Sequence, residues 1–519
     1  MSSSTMIIVV IAIYLLFVIF TGVCIGRRTK QDSEGFFLGG RKMGPLVTAM
    51  SAEASDMSSY LLMGIPGVAY LSGLADATWT AIGLGIGTYL NFLLVSKRLR
   101  RYSAKIDAIT IPEFFSKRFG EKTNVIETVA ALIIIIFFIP YVASGLQAIG
   151  KLFNTLFELN YMYGVIIGAA VILSYSAIGG FGSVAVMDLI QSIIMTFALT
   201  VIVFFAINKA GGWTNAMQHV SNLPGFLALT QTHVAGETAE AVGTAAPYGF
   251  ITIISTMAWG LGYFGMPHIL VRFMSIRDEN ELKLSRRIAA VWVFISMGVA
   301  ILIGIIGHAM STEGAIKFLG GSDSERVIIH IAHLLANNGI FPAIVAGVIL
   351  AGILAATMST ADSQLLCAAS SFSQNLMQHT FKKKLDDRQS LVAARCTIIV
   401  MVIMAIYIAS NPDSPIGKSI FQVVAFAWAG FGACFGPAML LALFSKRTNS
   451  TGVLVGMILG AVTIFVWKFG VRPLGGAWNI YELLPAFLVN FIFTIIVSSV
   501  TPAPSSEVQK TFDEVMQNI

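Results

Sequence analysis

Ser51-Ala52-Glu53-Ala54-Ser55-Asp56-Met57-Ser58-Ser59, followed by Met63-Gly64-Ile65-Pro66-Gly67, interrupts a stretch, residues 45–71, that is otherwise apolar. A charged side chain at the centre of a bilayer costs at least about 2.5 kcal/mol, so Glu53 and Asp56 need a partner or a purpose there. Glycine and proline weaken the helix that carries them. A second stretch of this kind reads Trp259-Gly260-Leu261-Gly262-Tyr263-Phe264-Gly265-Met266-Pro267-His268. Each contains a Gly-x-Pro step, at Gly64-Ile65-Pro66 and Gly265-Met266-Pro267.

The surrounding chain explains why these breaks matter. Of 519 residues, 56% are apolar and only 12% charged, and the mean hydropathy is +0.80. So few charges cannot cover the surface of a soluble protein this long. The expected fold is an all-α polytopic membrane protein. Thirteen stretches approach the roughly 20 residues that span a bilayer: 6–26, 45–71, 77–96, 124–150, 161–178, 183–208, 247–271, 288–311, 340–371, 392–410, 419–444, 452–471 and 479–500. No basic segment precedes the first, so it reads as a retained span rather than a secretory signal.

Basic residues supply the orientation. Of 33 Lys and Arg, 26 fall in one alternating set of loops, among them Arg27, Arg28, Lys30, the cluster from Lys97 to Lys122, Arg272 to Arg287, and Lys382-Lys383-Lys384. The other side holds seven: Lys151, Lys209, Lys317, Arg326, Lys418, Lys468 and Arg472. Positive loops stay in the cytoplasm, which places the N-terminus outside and the C-terminus inside. The same asymmetry accounts for the net charge of +6. No uninterrupted basic face is left for nucleic acid, and no nucleic-acid partner is expected.

Spans 2–6 and 7–11 each begin with a broken element, and five spans per unit turn the second unit upside down. Paired breaks at matching positions of inverted repeats mark the midplane site of a transporter. Residues 1–500 read as one transmembrane unit, with repeats at 45–208 and 247–444, and 501–519 as a cytoplasmic tail. The outer loop 209–246 shows no strong period, and Arg326 to Leu335 forms a short amphipathic stretch suited to the outer surface.

Polar residues inside the spans are the candidate site. Asp56 either caps the half-helix that starts beside it or supplies charge to a nearby cation; Glu53, one turn earlier, faces the cytoplasmic vestibule or the site. In Ala355-Ala356-Thr357-Met358-Ser359-Thr360-Ala361-Asp362-Ser363, the Ala356 carbonyl and the Ser359 and Thr360 hydroxyls share nearly one helix face. They form a hard oxygen set for Na⁺, or back-bond to preceding carbonyls. Asp188 opens span 6 as an interfacial cap or part of an ion path. Gly83, Gly85 and Gly87 read as helix packing. His330 and His333 lack a zinc pattern. The cysteines form no metal-ligand spacing, and without a paired nucleophile and base no enzyme is expected.

Leu38-Gly39-Gly40-Arg41, Ser55-Asp56-Met57-Ser58, Leu62-Met63-Gly64-x-Pro66-Gly67, the Trp259–His268 run, Ala355-Ala356-x-Met358-Ser359-Thr360 and Trp428-Ala-Gly-Phe-Gly432 occur in this order. On these motifs the chain resembles the sodium/solute symporter family across residues 6–510, and within it the branch that carries L-proline. The resemblance implies Na⁺ held between spans 2 and 9 by the carbonyls of Ala54, Met57 and Ala356 and the hydroxyls of Ser359 and Thr360, with Asp56 as nearby charge. It implies substrate above, against Trp259, Tyr263 and Pro267, with Tyr141 as a further wall. Asp188, Asp362 and Ser363 are candidates for a second ion path. Because Asp362 stands where relatives that couple a second sodium carry a hydroxyl, one Na⁺ is expected. Ser59-Tyr60 also departs from the Gly-Trp of the proline branch. The implied function is alternating-access import of L-proline with Na⁺ across the plasma membrane by a monomer in the lipid bilayer. A related carrier for pantothenate or a short-chain acid, and an uncoupled channel or receptor, remain the alternatives.

Overall fold

Without water to satisfy a sheet edge, an apolar chain in lipid must close its backbone hydrogen bonds internally. Helix accordingly runs through all thirteen apolar stretches. The computed structural model describes residues 2–26, 33–236, 242–382, 385–411 and 419–517. Arg27, Arg28, Lys30, Lys383, Lys384 and Lys418, which contribute to the charge asymmetry, lie outside the described residues.

The principal helices are α1 (Ser3–Gly26), α2 (Pro45–Ser59), α3 (Ile65–Ser72), α4 (Leu74–Leu90), α5 (Val125–Phe157) and α6 (Tyr161–Lys209). After the segment that follows α6 come α7 (Phe250–Met257), α8 (Pro267–Ser275), α9 (Leu282–Thr312), α10 (Ile340–Ser370) and α11 (Asp387–Ala409). The chain ends with α12 (Ile420–Phe444), α13 (Ser450–Val466), α14 (Leu483–Val500) and α15 (Ser506–Met516).

Among the described residues, ten helices are long and apolar enough to cross a membrane. The three remaining stretches are 45–71, 161–178 and 247–271. Each is shorter or broken. Residues 161–178 join the next span within α6, and the join bends at Gly180, whose φ of 59° and ψ of 171° favour glycine.

The two Gly-x-Pro steps behave differently. In the second, Met266 is extended (φ −75°, ψ 107°) between a 3₁₀ segment, Ala258–Gly265, and α8. In the first, Gly64 is helical and Pro66 sits in the first turn of α3, where proline is tolerated. The break lies upstream at Ser58 (φ 46°, ψ −167°), and one π-helical turn, Tyr60–Gly64, leads into α3. That backbone region is nearly closed to non-glycine residues and costs on the order of 1–3 kcal/mol. The first break therefore falls in the polar run 51–59 around Asp56, as expected, and not at the Gly-x-Pro step that follows it.

α10 packs against α1, α2, α5 and α6, whereas α12 packs against the Ala258–Gly265 segment, α5 and α14. The broken elements thus lie between the helices richest in buried residues. One peripheral reading needs correction. The 209–246 segment carries a helix, Trp213–Ser221, and a hairpin of β1 (Gln231–Val234) and β2 (Thr244–Pro247). The amphipathic stretch forms the helix Val327–Ala336, whose apolar side is buried in packing that includes α10. The tail forms α15, which docks through Phe512 and Val515; Lys105 pairs with Glu514 at 2.9 Å and holds its carboxyl below the usual range.

Candidate functional site

The break at Ser58 rearranges the backbone around it. In a regular helix the Tyr60 N–H would donate to the Asp56 carbonyl. Here it donates to the Met57 and Ser58 carbonyls and, at 3.1 Å, to Ser58 Oγ. The Asp56 carbonyl instead accepts the Tyr141 hydroxyl at 3.1 Å. The Asp56 side chain turns to the second broken span. Its Oδ2 accepts a short hydrogen bond from the Tyr263 hydroxyl, which joins the first broken span to the second. Glu53 is buried, and its Oε2 has no hydrogen-bond partner among the described residues.

Below Asp56, α2 meets α10 through four oxygens. Ser359 Oγ donates to the Ala54 carbonyl at 2.8 Å and lies 3.1 Å from the Ala356 carbonyl. Thr360 Oγ1 reaches the Ala356 carbonyl at 3.2 Å and the Ala54 carbonyl at 3.5 Å. Two carbonyls and two hydroxyls from two helices therefore converge at hydrogen-bonding distances. Both readings of Ser359-Thr360 meet in one geometry: the hydroxyls back-bond within α10 and also cross to α2. A small hard cation among these oxygens would draw on lone pairs that now accept hydroxyl hydrogens. Four of the five expected ligand positions come together. The fifth, the Met57 carbonyl, accepts the Tyr60 N–H.

On the other side of Asp56 the 3₁₀ segment presents aromatic rings. Trp259 stacks on Tyr481 with centroids 5.2 Å apart, and packs against Tyr60 at 5.3 Å and Phe421 at 5.4 Å. Its carbonyl accepts Trp428 Nε1 at 2.7 Å. Tyr263 meets the Trp428 ring edge-on at 5.1 Å, and Pro267 is buried at the first turn of α8. Trp259 also lines a cavity of about 270 Å³ with Asp76, Tyr248, Lys468 and Arg472. The aromatic cluster separates that cavity from Asp56.

Toward the basic side lies a polar node in which Arg272, read from sequence as a loop cation, takes part. It is 1% exposed and pairs with Asp188 at 2.8 Å. Arg272 Nε donates to Ser51 Oγ at 2.7 Å, and Ser51 Oγ donates to Asp188 Oδ2 at 2.6 Å. Arg272 also bonds Ser363 and the His268 carbonyl, so α2, α6, α8 and α10 meet on one guanidinium. Asp188 is therefore neither an interfacial cap nor a free carboxylate. Asp362 is not in this node; its Oδ1 accepts the Ser176 hydroxyl. Arg272 and Ser51 were missed because basic residues flanking a span normally reach water. In the structure α8 runs on to Ser275, so Arg272 lies within the helix rather than past its end.

Known proteins resemble the chain along nearly its whole length. The profile described as the sodium:solute symporter family matches residues 36–460. The osmoregulated proline transporter OpuE of Bacillus subtilis is 38% identical over 507 residues, covering 98% of this chain and 97% of that protein. The sodium/proline symporter of Escherichia coli is 36% identical over 518 residues, with 99% and 97% covered. Among solved structures, a Na⁺-coupled sialic acid symporter in a substrate-bound outward-open state superposes with a TM-score of 0.75. That likeness spans 96% of this chain and 99% of the other at 19% identity, and it speaks to the fold alone. With the profile covering most of the chain and such relatives aligned nearly end to end, the chain belongs to the sodium:solute symporter family.

Proposed function

We propose that this protein imports L-proline with Na⁺ by alternating access, one ion per cycle, and acts as a transporter and not as an enzyme. The observation that carries the reading is the convergence of Ala54, Ala356, Ser359 and Thr360 oxygens beneath the Asp56–Tyr263 bond. Relatives named as proline transporters over nearly the full length support the choice of cargo.

In this reading Na⁺ enters between α2 and α10 and replaces the hydroxyl–carbonyl bonds there, with Asp56 balancing its charge and Met57 completing the set when its carbonyl turns inward. Tightening of α2 against α10 sets the Tyr263 hydroxyl and the Trp259 ring for substrate. The proline ring lies against Trp259, Tyr263 and Pro267, with Tyr141 behind. Its carboxylate meets half-helix N-termini, and its imino cation meets freed carbonyls or the Trp259 face. The Asp188–Arg272 node closes the cytoplasmic side and opens for release; Asp362 and Ser363 flank that path.

The unit is residues 1–500, with 45–208 and 247–444 as inverted halves, working as a monomer in the plasma membrane. The N-terminus lies outside, and the 501–519 tail lies in the cytoplasm. One charge crossing 100 mV supplies about 2.3 kcal/mol, roughly fortyfold accumulation before any sodium gradient is added. The test is uptake of labelled L-proline into proteoliposomes after an inward sodium jump. Saturable, sodium-dependent accumulation is expected. Sodium-independent flux, or sodium-driven uptake of another carboxylate without proline, overturns the reading.

A further inference from the structure

One cavity opens on a strongly apolar face, lined by none of the residues assigned to sodium or proline. It is a groove of about 480 Å³ between α6 and α9, walled by Leu199, Thr200, Val291 and Ile295, with Met50 of α2 on its floor. The Trp292 indole donates to Thr196 Oγ1 at 2.9 Å and so ties the two walls. Around it the exposed side chains are apolar, including Ile193, Phe197, Phe294 and Ile295. In a membrane-spanning chain such a surface faces hydrocarbon, which fills the groove with an acyl chain.

One end of the groove is not apolar. Arg287 lines it, is exposed, and has no hydrogen-bond or ion-pair partner among the described residues. Arg286, beside it, rests on the Tyr89 ring at 5.0 Å from the centroid. An unpaired guanidinium at the edge of the hydrocarbon is costly unless it meets an anion. A phosphodiester headgroup matches its fork geometry, and an anionic lipid adds attraction of about 1 kcal/mol per basic residue near the surface.

We infer that the α6–α9 groove is a binding site for one anionic glycerophospholipid, its acyl chain on Met50 and Val291 and its headgroup on Arg287. The floor gives the site a consequence. Met50 adjoins Ser51, which joins Arg272 to Asp188, and lies one turn before Ala54 on the same helix. A chain seated in the groove therefore touches the element whose movement couples the sodium oxygens to the cytoplasmic node.

Native mass spectrometry of the purified full chain, titrated with phosphatidylglycerol or phosphatidylcholine of equal chain length, tests the site. The unsubstituted protein should retain phosphatidylglycerol at least tenfold more strongly. Arg287→Gln should abolish that preference, Arg287→Lys should restore part of it, and Arg447→Gln, on another cytoplasmic loop, should leave it intact. Val291→Trp fills the groove from a position 59% exposed and should displace both lipids. Thermal unfolding in the same detergent separates misfolding from lost binding, with Ile295→Trp as the substitute if Val291→Trp misfolds. Equal retention of the two lipids by the unsubstituted protein, or preference unchanged by Arg287→Gln, overturns the headgroup assignment. Undiminished lipid retention in a folded groove-filling variant overturns the groove.

Discussion

The Tyr263 hydroxyl donates its hydrogen to the Asp56 carboxylate, so the one acid at the first helix break is held by the aromatic segment of the second. The residues are 207 positions apart, and both are nearly sealed from solvent. Removing the donor leaves a buried carboxylate short of a partner, a penalty of about 1–3 kcal/mol. Tyr263→Phe is therefore expected to raise the proline concentration for half-maximal uptake and to shift the sodium requirement with it. Asp56→Asn, which removes the charge, should move the sodium requirement further than the proline requirement. Sodium titrations of initial uptake rates distinguish the two variants; equal effects of both on the two requirements would contradict the assigned roles.

Ser359 and Thr360 each reach the carbonyls of Ala54 and Ala356. A hydroxyl ligand to a charged group contributes about 1.5–3 kcal/mol. Thr360→Ala is expected to raise half-saturating Na⁺ roughly ten- to a hundredfold, whereas Thr360→Ser keeps the oxygen and should lie near the unsubstituted value. Uptake at saturating proline across a sodium series measures both. An alanine variant with the original sodium dependence removes Thr360 from the ion site.

Arg272 and Asp188 form an ion pair in which each side chain is 1% exposed. Losing one partner strands the other, at a cost of about 3–5 kcal/mol. Arg272→Gln and Asp188→Asn should each lower the unfolding temperature in detergent, and the double variant should recover much of the loss. If the node also closes the cytoplasmic side, the double variant will unfold at a near-normal temperature yet remain impaired in concentrating substrate. Paired thermal-shift and uptake measurements read these quantities separately.

Much of the fold was legible because lipid leaves a chain few choices. Span positions follow from apolar length, and the second break follows from Gly265-Met266-Pro267. The first break follows from the polar run 51–59, whereas Pro66 does not disrupt, because at the start of α3 its missing N–H costs nothing. The disruptive residue is Ser58, whose φ is positive and whose Oγ accepts the Tyr60 N–H. The common face of the Ala356, Ser359 and Thr360 oxygens was legible on α10, where spacing sets it, while their alignment with Ala54 came from motif resemblance. Arg272 was hidden because charge counting treats a flanking cation as solvated, and only the packing of four helices shows it buried.

The Trp428 indole donates to the Trp259 carbonyl at 2.7 Å, and this contact depends on Gly262. A Cβ at Gly262 would fall onto Trp428 Nε1, and one at Gly432 would lie 2.7 Å from the Gly262 Cα. Trp428 is large, buried and ringed by Trp259 and Tyr263, so it cannot yield without moving both. Overpacking of this kind costs about 1–3 kcal/mol. Gly262→Ala is expected to weaken proline binding by about tenfold or more while leaving sodium binding without substrate largely intact, because the Ala54–Thr360 oxygens lie on α2 and α10. A sodium-binding measurement on the purified protein, with and without proline, checks the separation. Equal loss of sodium binding in the proline-free state would show that the aromatic segment and the ion site cannot be disturbed independently.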